Sequence, residues 1–356
     1  MSAFALFRPR AKIACVPAVL FFLSLAFPAL ADRVVVDQLG RSVTLPDTIS
    51  RAVVLEHHAL DVVVELGAQD QVVAVMRDWQ KQLGKGFERL APQLKSLPEP
   101  GGLTEVNSEE LLSLNPDVVI VTHYVSPAML KQLEDTKIPV IQVAFFTVPE
   151  SERGKLNPVL SDEKKAYTDG LLEGVSLLGE VFGKQAVAKQ LNDVIIEKRK
   201  IIDERTANLP EEGRTTLYMA NPDMNTYGAG KYTGVIMEQA GGLNVARGAK
   251  GYGKVTMEQV LSWNPAIIIV QDRYAEVADQ IRQDPAWKTV KAVADDKIFI
   301  TPEYVKPWGH PVPESVALGE LWMAKILHPD LFQDIDINSE AQKFYKAFYR
   351  TDYVAK

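Results

Sequence analysis

The chain has 356 residues and a single cysteine, Cys15. Cys15 lies in an N-terminal segment whose pattern predicts that it is removed, so the remaining chain can form no disulfide. The remaining chain also offers no thiolate to zinc or to an iron–sulfur cluster. The scarcity of cysteine therefore excludes a disulfide-stabilised fold and every thiolate metal site.

Long hydrophobic runs are missing as well. The apolar stretch Ile13–Phe27 is interrupted by Pro17 and falls short of the about 20 residues that a transmembrane helix needs. Three basic residues precede this stretch and Ala29-Leu30-Ala31 follows it, which is typical of a secretory signal peptide. We predict that residues 1–31 are cleaved before Asp32. Because no cysteine stands at the cleavage site, we expect a free periplasmic protein without a lipid anchor.

An excess of positive charge and the common catalytic motifs are also absent. The chain carries 39 basic and 46 acidic residues, and loss of the signal segment would make it more acidic still. This balance argues against nucleic acid or anionic lipid as a partner. There is no His-Glu-x-x-His, Gly-x-Ser-x-Gly or Walker loop, and no Gly-x-Gly-x-x-Gly opens a helix. An exported metalloenzyme, with Glu56-His57-His58 as its site, is therefore the weaker alternative to a carrier.

What the chain does contain is an internal repeat. Residues 106–121 and 255–270 are related by a constant offset of 149 and are identical at eight of sixteen positions. Each copy reads as a short helix, an Asn-Pro stop and an apolar strand. The chain therefore carries two copies of one structural unit.

The segments around the repeat alternate between strand and helix patterns. Their Val/Ile runs are nearly continuous, which favours a mostly parallel sheet covered on both faces. Between the two halves, Lys184–Ala207 shows helical spacing over about 35 Å, which indicates a stiff link. We predict an α/β protein with an N-terminal lobe at 32–182, a linking helix at 183–209 and a C-terminal lobe at 210–356.

The order and spacing of several segments resemble the helical-backbone (class III) periplasmic substrate-binding proteins of ABC importers, which carry iron–siderophore, haem, cobalamin and related metal complexes. The likeness extends over nearly all of the chain after the signal segment. The segments that carry it are Asp37-Gln-Leu-Gly-Arg-Ser-Val-Thr-Leu-Pro46, Leu97-Pro-Glu-Pro-Gly-Gly102, Glu238-Gln-Ala-Gly-Gly-Leu-Asn-Val-Ala246, Trp308-Gly-His-Pro311 and Leu318-Gly-Glu-Leu-Trp322.

The resemblance implies partners and a reason for the repeat. Such a carrier delivers its ligand to a permease dimer and, through it, to an ATPase, and it acts as a monomer without an intrinsic cofactor. In the family a glutamate on each lobe docks onto permease arginines, and Glu109 and Glu258 match those positions. A structural explanation competes, because Asn107 and Thr256 are candidate N-caps that would place both glutamates in a first helical turn.

Candidate ligand residues follow the predicted strands, because ligands of parallel sheets bind beyond the carboxyl ends of the strands. Four of the chain's five histidines fall there, including His123, and so does Lys231. Imidazoles can bind a metal, aromatic rings can form cleft walls and guanidinium groups can bind anionic ligands. The selected residues are His57, His58, Arg77, Trp79, Tyr124, Tyr227, Arg273, Tyr304, Trp308 and His310.

The sequence alone leaves several ligand classes open. An iron(III) chelate such as a siderophore complex ranks first, because it suits basic, aromatic and histidine side chains together. A molybdate- or tungstate-type oxyanion ranks second and haem follows closely. His57, His58 and His310 are the candidate metal ligands.

Overall fold

The computed structural model describes residues 1–2, 32–84, 86–147, 149–210 and 212–355. The predicted signal peptide lies almost entirely outside these residues. Within the described part of the chain, no helix combines the length and the hydrophobicity needed to cross a bilayer.

Helices and strands alternate along the chain. The strands are β1 Arg33–Val36, β2 Ser42–Leu45, β3 Ala52–Val54, β4 Val72–Val75, β5 Val118–Thr122, β6 Val140–Val143, β7 Thr216–Ala220, β8 Asn225–Tyr227, β9 Leu243–Asn244, β10 Tyr252–Lys254, β11 Ile267–Val270 and β12 Ile298–Ile300. The α-helices are α1 His57–Glu65, α2 Trp79–Leu83, α3 Ser108–Ser113, α4 Pro127–Asp135, α5 Glu163–Val181, α6 Gln185–Thr206, α7 Tyr232–Gln239, α8 Met257–Trp263, α9 Glu276–Gln283, α10 Lys291–Ala294, α11 Glu320–Leu327 and α12 Ile337–Phe344.

Two four-stranded parallel sheets form the two lobes, as the sequence predicts. The first has the order β4-β3-β5-β6 and the second the order β9-β7-β11-β12. In the first sheet β3 pairs with β4 and β5, and β6 pairs with β5. In the second sheet β7 pairs in the same way with β9 and β11, and β12 pairs with β11. Every residue of β5 and β11 is buried, because helices cover both faces of the sheets.

The sequence repeat corresponds to a structural repeat. Its strands, β5 and β11, take the same place in their sheets, and its helices, α3 and α8, precede them. Asn115 and Asn264 end these helices with positive φ angles of 45° and 43°, a conformation that asparagine tolerates better than most residues.

The predicted linking helix is α6, and α5 packs antiparallel beside it. Asn192 of α6 donates to the Leu172 carbonyl of α5 at 3.0 Å. Near the other end of α6, Arg199 forms a buried ion pair with Glu320 of α11. The sequence did not predict α5, which itself spans both lobes: Glu163 contacts the second lobe and the Val181 carbonyl contacts the first.

The C-terminal segment also joins the lobes. Tyr349 donates a hydrogen bond to Asp61 of α1 at 2.8 Å, and the following Arg350 donates to the Glu65 carbonyl at 3.1 Å. Lys306, from the second lobe, pairs with the same Asp61 at 2.5 Å. The C-terminal residues Tyr349 and Arg350 thus pack on the first lobe. The domain boundaries 32–182, 183–209 and 210–356 stay a prediction.

Candidate functional site

A pocket of about 200 Å³ lies between the two lobes, beyond the carboxyl ends of β3, β5 and β6. Its first-lobe side consists mainly of residues at or just after the ends of these strands. Its second-lobe side consists of residues from β8, β10, the N-cap of α7 and the loop that precedes α11. The lining residues are Glu56, His57, His58, Thr122, His123, Tyr124, Val143, Ala144, Phe145, Leu156, Tyr227, Lys231, Tyr252, Gly309 and His310.

Glu56 fixes the entry of the chain into α1. It is the N-cap residue, with extended backbone angles, and its carboxylate accepts a hydrogen bond from the Ala59 N–H at 2.6 Å. The same carboxylate lies 2.7 Å from Nδ1 of His58 and 3.4 Å from Nδ1 of His57. One N-cap therefore orients both imidazoles in the first helical turn at the pocket wall.

Burial and pairing decide the charges of this cluster. Burial opposes ionisation of Glu56, but the adjacent His58 and His57 and the Ala59 N–H outweigh it and lower the pKa of Glu56 to about 2. Burial, followed by the nearby His58, lowers the pKa of His57 to about 3. At neutral pH the pocket therefore contains an ionised Glu56 beside an uncharged His57.

Two more histidines complete the wall. His123 donates from Nε2 to the Lys155 carbonyl at 3.1 Å, and burial lowers its pKa to about 4. The His310 ring stacks on Phe146, with ring centroids 5.3 Å apart, and meets the rings of His58 and His123 edge-on at 5.4 Å. Burial, with the neighbouring imidazoles, holds the pKa of His310 well below its usual range.

Lys231 brings an ammonium group to the same space. Its side chain is only 5% exposed, its Nζ donates to the Leu156 carbonyl at 3.1 Å, and burial lowers its pKa to about 8. Tyr124, Tyr227 and Tyr252 line the same pocket. Lysine, histidine and tyrosine groups can all donate hydrogen bonds to oxygen atoms of a bound anion.

Five of the residues selected from the sequence line the pocket, namely His57, His58, Tyr124, Tyr227 and His310. Trp308 supports the site from behind, because its ring contacts His57 and His58 with centroid distances of 5.9 and 5.6 Å.

The other four selected residues do not line the pocket. Trp79 and Tyr304 are fully buried in the core, where they pack against Phe87 and Tyr353. Arg273 stacks on Trp308 and donates to the Gln82 carbonyl at 2.9 Å, which joins the lobes.

Arg77, the last of these four, lies on the surface and pairs with Glu105. Position after a strand predicts the edge of the sheet but not the direction of the side chain, and none of these four residues lines the pocket.

The selection omitted five lining residues whose side chains carry hydrogen-bonding groups: Glu56, Thr122, His123, Lys231 and Tyr252. His123 and Lys231 follow predicted strands, and the scarcity of histidine is a usable signal for His123. Tyr252 lies on β10, which pairs with β8 in a small antiparallel ribbon that the sequence pattern did not predict.

The same residues offer metal-ligating atoms. Glu56, His57 and His58 place one ligand atom each within 4.8 Å of one another. Three ring nitrogens of the pocket histidines, His57 Nδ1, His58 Nε2 and His310 Nδ1, are buried and form no hydrogen bond within the part of the chain that the structure describes. Imidazole nitrogens and a carboxylate suit a transition metal, whereas the Lys231 ammonium suits an anion.

The two repeated glutamates lie at the surface and do not line the pocket. Glu109 and Glu258 are exposed, in the first turns of α3 and α8. Asn107 and Thr256 are the N-caps, as predicted, and a complete capping box forms at Thr256. At Asn107 the side chain accepts from two backbone N–H groups, and no reciprocal bond from the residue three positions later is present.

Comparisons with known proteins agree with this architecture. The periplasmic binding protein family model matches residues 53–305. The molybdate-binding protein MolA of Haemophilus influenzae is 50% identical over 331 residues, which cover 93% of this chain and 94% of that protein. The Fe(3+)-citrate-binding protein YfmC of Bacillus subtilis is 24% identical over 273 residues, which cover 75% of this chain and 78% of YfmC.

A solved structure extends the similarity to three dimensions. Molybdate-bound MolA of Haemophilus influenzae, the cognate periplasmic binding protein of an ABC transporter, matches with a TM-score of 0.89 at 49% identity. The match covers 91% of this chain and 99% of that chain. The chain belongs to the periplasmic binding protein family, as a helical-backbone solute-binding component of an ABC transporter rather than an enzyme.

Proposed function

We propose that this protein binds a molybdate- or tungstate-type oxyanion between its lobes and delivers it to the permease. The observation that carries the proposal is the small interlobe pocket, in which Lys231, four histidines and three tyrosines line one space of about 200 Å³. The 50% identity to a protein named as molybdate-binding supports the same ligand class.

The chemistry of the pocket suits a dianion that keeps its oxygen atoms. The Lys231 ammonium supplies one full positive charge in a buried setting, where a charge-assisted hydrogen bond is strong. His58 Nδ1 lies 2.7 Å from the Glu56 carboxylate, and its Nε2 is buried without a hydrogen-bond partner. The Lys231 ammonium can bind an anion's oxygen atoms without any metal–protein bond.

The iron(III) chelate that ranks first from the sequence is less well supported. Pockets for drug-sized ligands begin at about 300 Å³, which exceeds the space between these lobes. Neither of the two arginines expected to recognise an anionic chelate, Arg77 and Arg273, lines the pocket. Haem, which is larger still, is disfavoured for the same reason. Metal ligation by His57, His58 and His310 remains the alternative chemistry of this site.

Calorimetric titration of the purified protein with sodium molybdate, tungstate, sulfate, phosphate and ferric citrate tests the proposal. We expect molybdate and tungstate to saturate one site and ferric citrate to give no signal. Lys231→Met should weaken molybdate binding at least about tenfold, because a hydrogen bond to a charged group contributes about 1.5–3 kcal/mol. Lys250→Met, at an exposed lysine, is the matched control. Saturable binding of ferric citrate, with none of molybdate, would overturn the proposal.

We also propose that Glu109 and Glu258 dock the loaded protein onto paired arginines of the permease dimer. Both carboxylates are exposed, and no ion pair with either is found among the described residues. N-capping by Asn107 and Thr256 accounts for the helix starts, so it does not require a glutamate at the same place in both lobes.

A further inference from the structure

A second pair of equivalent residues stands beside the two glutamates. Leu112 of α3 and Leu261 of α8 are related by the same offset of 149 and are identical in the two copies of the repeat. Their side chains are 52% and 40% exposed. Each leucine follows its glutamate by three residues, so the two side chains lie on the same helix face, one turn apart.

Packing inside the lobes does not account for these leucines. The adjacent Leu111 and Val260 are fully buried and supply the contacts that hold α3 and α8 on their sheets. A single exposed leucine is ordinary in a soluble protein. The same exposed leucine beside the same exposed glutamate, at equivalent places in both lobes, matches a partner that has two equivalent subunits.

We infer that each lobe presents a glutamate–leucine pair to one subunit of the permease dimer, and that the leucine enters an apolar socket beside the arginine that binds the glutamate. The inference rests on the proposed docking role of Glu109 and Glu258. An exposed ion pair alone contributes about 0–1 kcal/mol and is screened by salt. An apolar contact at its side excludes water, which strengthens the pair and adds affinity that does not depend on salt.

The test is the affinity of the loaded protein for its permease–ATPase complex in lipid nanodiscs, at several salt concentrations. The variant carries Leu112→Gln and Leu261→Gln, because glutamine has nearly the helix propensity of leucine. Ile196→Gln on α6 is the matched control, since Ile196 is also 52% exposed. Thermal unfolding and molybdate titration of each variant establish that folding and ligand binding are unchanged.

We expect the double leucine variant to bind the complex about tenfold more weakly at every salt concentration, and Ile196→Gln to bind like the unmodified protein. A double leucine variant that binds like Ile196→Gln would overturn the inference. The variant Glu109→Ala plus Glu258→Ala separates the two claims. If it loses docking and the leucine variant does not, the glutamate proposal stands and the leucine inference fails.

Discussion

At the scale of single residues, Lys231 links the fold to the proposed ligand. Its ammonium is held in the pocket by the Leu156 carbonyl, and burial lowers its pKa to about 8. The group is charged below that pH and loses its charge above it. An anion that depends on Lys231 therefore binds more weakly as the pH rises through about 8.

We predict that the dissociation constant for molybdate increases about fivefold between pH 8 and pH 9, because the protonated fraction of a group with a pKa of about 8 falls from about one half to about one tenth. Titrations at pH 7, 8 and 9 measure this change. Lys231→Arg should keep its charge and remove the dependence in this interval, and Lys231→Met should bind weakly at all three values. A dissociation constant that is equal at pH 7 and pH 9 in the unmodified protein would contradict the role of Lys231.

The sequence predicts which residues line the pocket where the residue type is rare and the backbone fixes its position. The histidines that follow β3 and β5 satisfy both conditions, and His57, His58 and His123 all line the pocket. Trp79 and Arg77 follow β4 just as closely, yet one packs in the core and the other pairs with Glu105 at the surface. The direction of a loop side chain depends on tertiary contacts, which a pattern along the chain does not contain.

At the scale of elements, α6 is anchored to the second lobe by one buried ion pair. Arg199 donates from Nε and Nη2 to the Glu320 carboxylate at 3.0 and 2.6 Å, and the Tyr232 hydroxyl adds a third bond at 3.1 Å. Arg199 is 5% exposed and Glu320 is fully buried. The pair therefore fixes the position of the helix, although it need not contribute much net stability.

We predict that Arg199→Met lowers the free energy of unfolding by about 3 kcal/mol, because it leaves Glu320 buried without its charge partner. Burial raises the pKa of Glu320 even beside Arg199, so without the arginine the loss should be larger at pH 8 than at pH 5. Adding Glu320→Leu to the same chain should restore most of the stability. Urea unfolding at both pH values measures these changes. If the free energy of unfolding of Arg199→Met lies within about 0.5 kcal/mol of that of the unmodified protein, the ion pair does not anchor α6.

The regular elements of the fold were predictable from the sequence, because buried parallel strands leave long Val/Ile runs and helix ends leave Asn-Pro signals. The repeat also predicted that β5 and β11 take equivalent places in their sheets. Several elements were not predicted, among them strand β9 and helices α9, α11 and α12. The short ribbons β1–β2 and β8–β10 are half exposed and lack a clear apolar alternation, and α5 has a glycine-containing pattern that weakens its helical signal.

At the scale of the whole molecule, several independent connections hold the lobes together. Helices α5 and α6 run side by side between them, the C-terminal segment packs on α1, and Arg89–Glu303 and Lys306–Asp61 are ion pairs across the interface. A hinge-type closure would have to break these contacts. The protein is therefore expected to load its ligand with only a small relative motion of the lobes.

Small-angle X-ray scattering with and without molybdate tests this rigidity. We predict that the radius of gyration changes by less than about 1 Å on loading, because the interface backbone of preorganised complexes moves by about 1 Å or less. The variant Arg350→Ala, which removes the hydrogen bonds to α1 carbonyls, should increase the change that molybdate produces. A compaction of several ångströms in the unmodified protein would show that the connections act as a hinge.

The central claim is that an oxyanion binds between the lobes, in contact with Lys231 and the histidines. Its most direct test is a crystal structure of the molybdate-loaded protein with anomalous diffraction measured at the molybdenum edge. We predict a single strong anomalous peak in the pocket bounded by His58, Lys231 and His310, with no protein atom bonded directly to the metal. A peak outside this pocket, or an occupied pocket that contains iron and no molybdenum, would contradict the account.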